Sequence, residues 1–123
     1  MYKITVHPSR KLVEVRISDL LSIAEVGRYS ADLRAHFDAG RLGPDYLMLI
    51  DVSAAAIQPQ EVVSAFQAHV DAMPRARRLV VVTGSSAIRV QMRRVLRETT
   101  VATVATREEA MTLLLKPRTA RAA

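Results

Sequence analysis

Leu47-Met48-Leu49-Ile50-Asp51-Val52-Ser53 is an apolar run that ends on a carboxylate and leads into a loop and a helix. Further along, Leu79-Val80-Val81-Val82-Thr83-Gly84-Ser85-Ser86 repeats the design, with hydroxyls and a glycine in place of the acid. Unbroken apolar runs of this kind, β-branched and stopped by turn residues, read as parallel strands covered on both faces. In such sheets, ligands and partners meet the loops at the carboxyl ends of the strands. Asp51, Ser53, Thr83, Gly84, Ser85 and Ser86 therefore form a candidate ligand or partner loop, with Asp51 and Thr83 expected at one edge of one sheet.

Around these strands the chain alternates elements. Residues 2–6 and 12–17 switch between apolar and polar positions, and His7-Pro8-Ser9-Arg10-Lys11 supplies the turn of a β-hairpin. Ser22-Ile23-Ala24-Glu25 is a capping box, opening a helix with Ile23, Val26, Leu33 and Phe37 on its apolar side. Gly40 and Gly43-Pro44 end it. Pro59 suits the first turn of a second helix, where Val62, Val63, Phe66, Val70 and Met73 share a side. Ser85 or Ser86 caps a third helix running to Arg97, residues 101–105 form a last strand, and Thr106-Arg107-Glu108-Glu109 caps a helix through Leu115. The expected architecture is a β-β-α-β-α-β-α-β-α sandwich on a mostly parallel five-stranded sheet, the first strand antiparallel at an edge.

Composition narrows the class. The chain has 123 residues and is read as one α/β domain over residues 1–115, followed by a basic, disordered tail over 116–123. Aromatics are only 4%, so the core must rest on Val, Leu, Ile, Ala and Met. No cysteine is present, which removes disulfides, thiolate nucleophiles and cysteine metal sites. The apolar runs are too short for a membrane span and the first residues lack a signal-peptide pattern, so the expected location is the cytoplasm. Net charge is +6 but unevenly placed: residues 1–71 carry −2 and residues 72–123 carry +8. Seven arginines stand between Arg75 and Arg97 without one acid. Such a field attracts anions.

The chemistry-bearing residues do not assemble an enzyme. Asp51 at a strand end has the position of a receiver-domain phosphoacceptor, with Thr83 as the hydroxyl residue. However, Asp19 is the sole further acid near the first strand ends, and Ala105-Thr106-Arg107 offers no lysine for the phosphoryl group. Thr83-Gly84-Ser85-Ser86 lacks the lysine and glycine spacing of a phosphate loop and reads first as a helix cap. His7, His36 and His69 have no metal-ligand spacing, and Ser53 sits in no nucleophile elbow. No metal and no cofactor is expected. In the third helix Arg89, Arg93, Arg94 and Arg97 line the side opposite Ile88, Met92, Val95 and Leu96. That face reads either as solvated surface or as a seat for an anionic partner.

Three stretches together resemble the anti-sigma-factor antagonist (STAS) domain. Leu49-Ile50-Asp51-Val52-Ser53 is similar to its strand ending Leu-Asp-Leu-Ser, Arg78-Leu79-Val80-Val81-Val82 to its next core strand, and Val104-Ala105-Thr106-Arg107-Glu108-Glu109-Ala110 to its final strand-to-helix join. The resemblance covers residues 2–115 and implies a non-enzymatic regulatory or binding module acting on a protein partner or a small ligand. In regulatory members an Asp-Ser-Ser-Gly segment opens the second helix and carries the phosphorylated serine. Here that place is taken by Ile57-Gln58-Pro59-Gln60-Glu61, without a hydroxyl, so no phosphoswitch is expected there. The alternative function is binding of nucleic acid or acidic phospholipid through the arginine-lined helix. A homodimer is compatible with either reading.

Overall fold

In the computed structural model, which describes residues 1–96 and 102–117, the hairpin forms as the alternation requires. β1 (Tyr2–His7) and β2 (Leu12–Asp19) pair antiparallel from Tyr2↔Ile17 to His7↔Leu12. A single 3-10 turn at Pro8–Arg10 and a left-handed Lys11 (φ 51°) close it. α1 (Ile23–Asp38) starts on the capping box. Ser22 Oγ accepts the Glu25 N–H and Glu25 Oε1 accepts the Ser22 N–H, both at 3.1 Å. Caps of this kind contribute about 1 kcal/mol. The helix stops ahead of Gly40, whose φ of +75° a side chain would resist. Its apolar stripe differs from the expected one in two places. Ile23 stands exposed in the first turn, and Tyr29 is buried with Val26 and Leu33.

β3 (Leu47–Ala55) runs parallel to β2, from Leu12↔Leu47 to Arg16↔Asp51 and, after an irregularity, on to Asp19↔Ala55. β4 (Arg78–Val82) pairs with β3 from Leu47↔Arg78 to Asp51↔Val82, and β5 (Ala102–Val104) pairs with β4. The sheet order is β1-β2-β3-β4-β5, mixed as expected, with only β1 antiparallel. Val101, placed in the last strand by its sequence, lies outside the described residues.

The helices divide unequally between the two faces. Alternation along the strands sends Val13, Val15, Ile17, Met48, Ile50, Val52 and Val81 to one face. There they meet α1, α2 (Gln60–Ala72) and α3 (Ser86–Leu96). The intervening residues Leu12, Leu47, Leu49, Val80 and Val82 form a smaller core with Ala110 and Leu114 of α4 (Arg107–Leu114). Ala110 is fully buried, and its small side chain lets α4 lie close to the sheet. Both ends of α4 are held. Thr106 Oγ1 accepts the Glu109 N–H at 3.2 Å, and the Arg78 guanidinium donates to the carbonyls of Leu113 (3.1 Å) and Leu114 (3.2 Å), which no intrahelical N–H can reach. Arg78 also donates to the carbonyls of Lys116 and Pro117, while residues 118–123 of the basic tail lie outside the described residues. No described helix is long and apolar enough to cross a membrane.

Candidate functional site

The strand that carries Asp51 does not end there. It continues to Ala55, beyond the last residue opposite β4, so its final turn of pleat overhangs the shorter neighbour. Asp51 falls on the α4 face with Leu47 and Leu49, whereas the same alternation turns Thr83, after Val81, to the other face. Asp51 and Thr83 thus share one end of the sheet but point to opposite sides of it. Asp51 Oδ1 accepts the Ser53 N–H at 2.9 Å and pairs with Ser53 Oγ, and Oδ2 lies 4.0 Å from Arg16 Nε. These are turn and surface contacts, satisfied locally.

A shallow groove of about 430 Å³ lies beside the overhang. Ser53, Thr83, Gly84 and Ser85 line it, and Asp51 and Ser86 do not. Thr83 is buried, and its Oγ1 accepts the Ser85 N–H at 3.1 Å. Ser85 Oγ accepts the Ile88 N–H at 3.2 Å and caps α3. Two of the loop hydroxyls are therefore spent on the turn and the helix cap. No group of three His, Cys, Asp or Glu among the described residues is placed to hold a metal.

What dominates this end of the molecule is a residue the sequence did not single out. Gln58 laces three segments together. Its Oε1 accepts the Leu21 N–H at 2.8 Å, and its Nε2 donates to the carbonyls of Asp19 (2.9 Å) and Ala56 (2.8 Å). Its own backbone exchanges two bonds with the Gln91 side chain, at 2.9 and 2.8 Å. Around this lock three large apolar side chains face water: Leu20 (57% exposed), Ile57 (53%) and Val90 (48%). Each is chain neighbour to a residue that the lock holds in place.

The remaining candidates sit elsewhere. Arg89, Arg93 and Arg94 are exposed on α3 and form no ion pair with a described residue, while Arg97 lies outside the described residues. The α4 side of the hairpin carries a cluster that joins distant parts of the chain. His7 Nε2 meets Glu14 Oε2 at 2.5 Å, and Arg107 Nε and Nη2 donate to Glu14 at 2.7 and 2.9 Å. The Arg107 bonds, with His7 assisting, hold the Glu14 carboxyl down at about 2. His69 is buried within the apolar stripe of α2. Its Nδ1 bonds Ser30 Oγ at 2.8 Å, its ring meets the Tyr29 ring at 4.9 Å, and burial lowers its pKa to about 4.

Solved structures share this fold. An anti-sigma factor antagonist, SpoIIAA in its unphosphorylated form, superposes with a TM-score of 0.67 at 15% identity, over 95% of this chain and 100% of its own. The chain has the SpoIIAA-like fold. An anti-sigma factor antagonist from Mycobacterium paratuberculosis (TM-score 0.63, 15% identity) shares it over 93% of this chain and 94% of its own. So does an uncharacterized DUF3478-family protein with a SpoIIAA-like fold from Shewanella loihica (0.69, 13%), over 92% and 93%. No protein-family model and no curated protein matches the chain. Within the SpoIIAA-like fold the stretch from residue 54 to 63, running from the end of β3 through the first turn of α2, contains no Ser, Thr or Tyr.

Proposed function

We propose that this chain is a non-enzymatic regulatory module that docks a protein partner on the surface formed by Leu20, Ile57 and Val90. The observation that carries the reading is the pairing of exposed apolar side chains with a rigid, fully bonded base. Apolar anchors held in fixed positions lose little entropy on binding and supply most of an interface's affinity. Two neighbours in fold are anti-sigma factor antagonists, which supports a partner of protein rather than small-molecule type. The hydroxyl-free stretch beside Ile57 means that phosphorylation cannot act within residues 54–63, so control of this docking surface would lie with the partner or with another site.

Cross-linking and affinity capture of the tagged chain, expressed in its native cells, test this. The wild type should retain a reproducible partner that Ile57→Asp and Leu20→Asp each reduce more than tenfold. Both side chains are more than half exposed, so neither change should move stability by more than about 0.5 kcal/mol. Retention of the partner by both variants would refute the assignment of this surface.

The exposed, acid-free arginines of α3 favour a second reading, in which this face binds a polyanion. Single- and double-stranded nucleic acid and anionic vesicles should then bind with affinity that falls steeply as salt rises. Replacing Arg89, Arg93 and Arg94 together by Gln should flatten that dependence. Equal, negligible binding by both proteins at low salt would leave α3 as solvated surface.

A further inference from the structure

The main core is not filled. A cavity of about 950 Å³ runs between the sheet and the α2–α3 layer, where native packing ordinarily leaves only water-sized voids. Composition explains the space: with 4% aromatics, the wall is built largely from short aliphatic side chains such as Val63, Ile50 and Met92. One end is bounded by the Gln58–Gln91 lock and the other by the segment from Pro74 to Arg78, so the space is elongated along the strands.

Two polar groups inside and at the mouth are left without partners. Tyr29 is 3% exposed and lines the cavity, yet its hydroxyl makes no hydrogen bond to any described residue. No sealed side-chain oxygen or nitrogen lacks a partner, so this hydroxyl is not sealed, and Tyr29 is part of the cavity wall. Burial and the nearby Tyr46 both keep its proton on, leaving it a donor. At the mouth, Tyr46 donates to the Pro74 carbonyl at 2.6 Å and accepts the Arg77 N–H at its own carbonyl at 2.7 Å. That pins the Arg77 backbone to the base of β3. The Arg77 side chain lines the cavity half-buried, with no ion pair to a described residue, whereas the neighbouring Asp71 and Arg75 are already engaged.

We infer that the cavity binds a medium-chain fatty acid, its alkyl chain lying along the sheet and its carboxylate at Arg77, with the Tyr29 hydroxyl donating to a ligand oxygen. The apolar wall suits an alkyl chain, and the Arg77 guanidinium, which lines the cavity beside Arg75 and Arg78, suits a carboxylate. This site is separate from the docking surface, and its test does not depend on that reading.

Calorimetric titration of the full chain with octanoate, decanoate and dodecanoate, each below its micelle concentration, tests the chain-length requirement. Binding should saturate at one per chain and strengthen about fourfold per added methylene, the equivalent of about 0.8 kcal/mol. Arg77→Gln should weaken decanoate at least tenfold while leaving 1-decanol within twofold, and Tyr29→Phe should weaken both several-fold. Met92→Trp, which fills the space, should abolish binding. Because Arg77 is only half-buried, its variant keeps the test open should the other two fail to fold. Absence of saturable decanoate binding would mean a cavity that holds water only. Equal weakening of decanoate and decanol by Arg77→Gln would remove the carboxylate from the mouth. Either result overturns the inference.

Discussion

Leu114→Ala should destabilise the protein by about 3–4 kcal/mol, lowering its Tm by about 10–15 °C. Leu114 is fully buried in the smaller core, which α4 alone of the described helices covers. Truncation there removes transfer free energy and leaves a void, and no other described helix lies on that face to fill it. Leu113, one position earlier and 38% exposed, is the internal control, and its replacement by Ala should cost less than about 0.5 kcal/mol. Chemical denaturation of both variants measures the contrast. Similar small losses for the two would mean that α4 is not seated on the sheet in solution.

The second large effect is a pH dependence carried by one side chain. Folding lowers the His69 pKa from 6.5 to about 4, chiefly by burial, with Arg34 adding to it. As pH falls, the unfolded chain takes up the proton first. The stability conferred by neutral His69 is therefore complete above about pH 6.5 and is lost progressively as pH drops toward 4. Between pH 7 and 4.5 the loss should be about 2 kcal/mol. Carboxylates also titrate in this range, so the informative quantity is the difference from His69→Gln, which can still bond Ser30 Oγ but cannot be protonated. Urea midpoints for both proteins at the two pH values give it. If the variant lost as much stability as the wild type, His69 would not be held neutral by the fold.

Much of the architecture could be read locally. The two deciding strands, the hairpin and the Ser22–Glu25 capping box each announce themselves within a few residues, because pleat alternation and helix capping are short-range effects. Tyr29 and His69 carried a usable signal as well. Each stands three residues after a buried apolar residue, Val26 and Phe66, at helical spacing, and only their polar atoms argued for the surface. The site was less legible. The extension of β3 through Ala54 and Ala55 depends on pairing with β2, not on strand propensity, and it is this pairing that moves Asp51 away from the strand end. Glu14 and Arg107 are separated by 93 positions, and nothing local to either foretells their bond. Gln58 looks like an ordinary polar residue before a proline. Its role exists only once β2, the β3–α2 connection and α3 have been brought together.

The sheet order has a consequence for assembly. Because spatial order is chain order, every strand finds its neighbour already synthesised, and none has to be threaded between two strands set in place earlier. A nascent chain can add one strand and one helix at a time onto a growing edge, each closure spanning a single connection. The three-helix face matures along the way, but its opposite cannot. Leu12, Leu47, Leu49, Val80 and Val82 stay bare until the last of the described helices arrives. During synthesis, that stripe is the part of the molecule most in need of shelter.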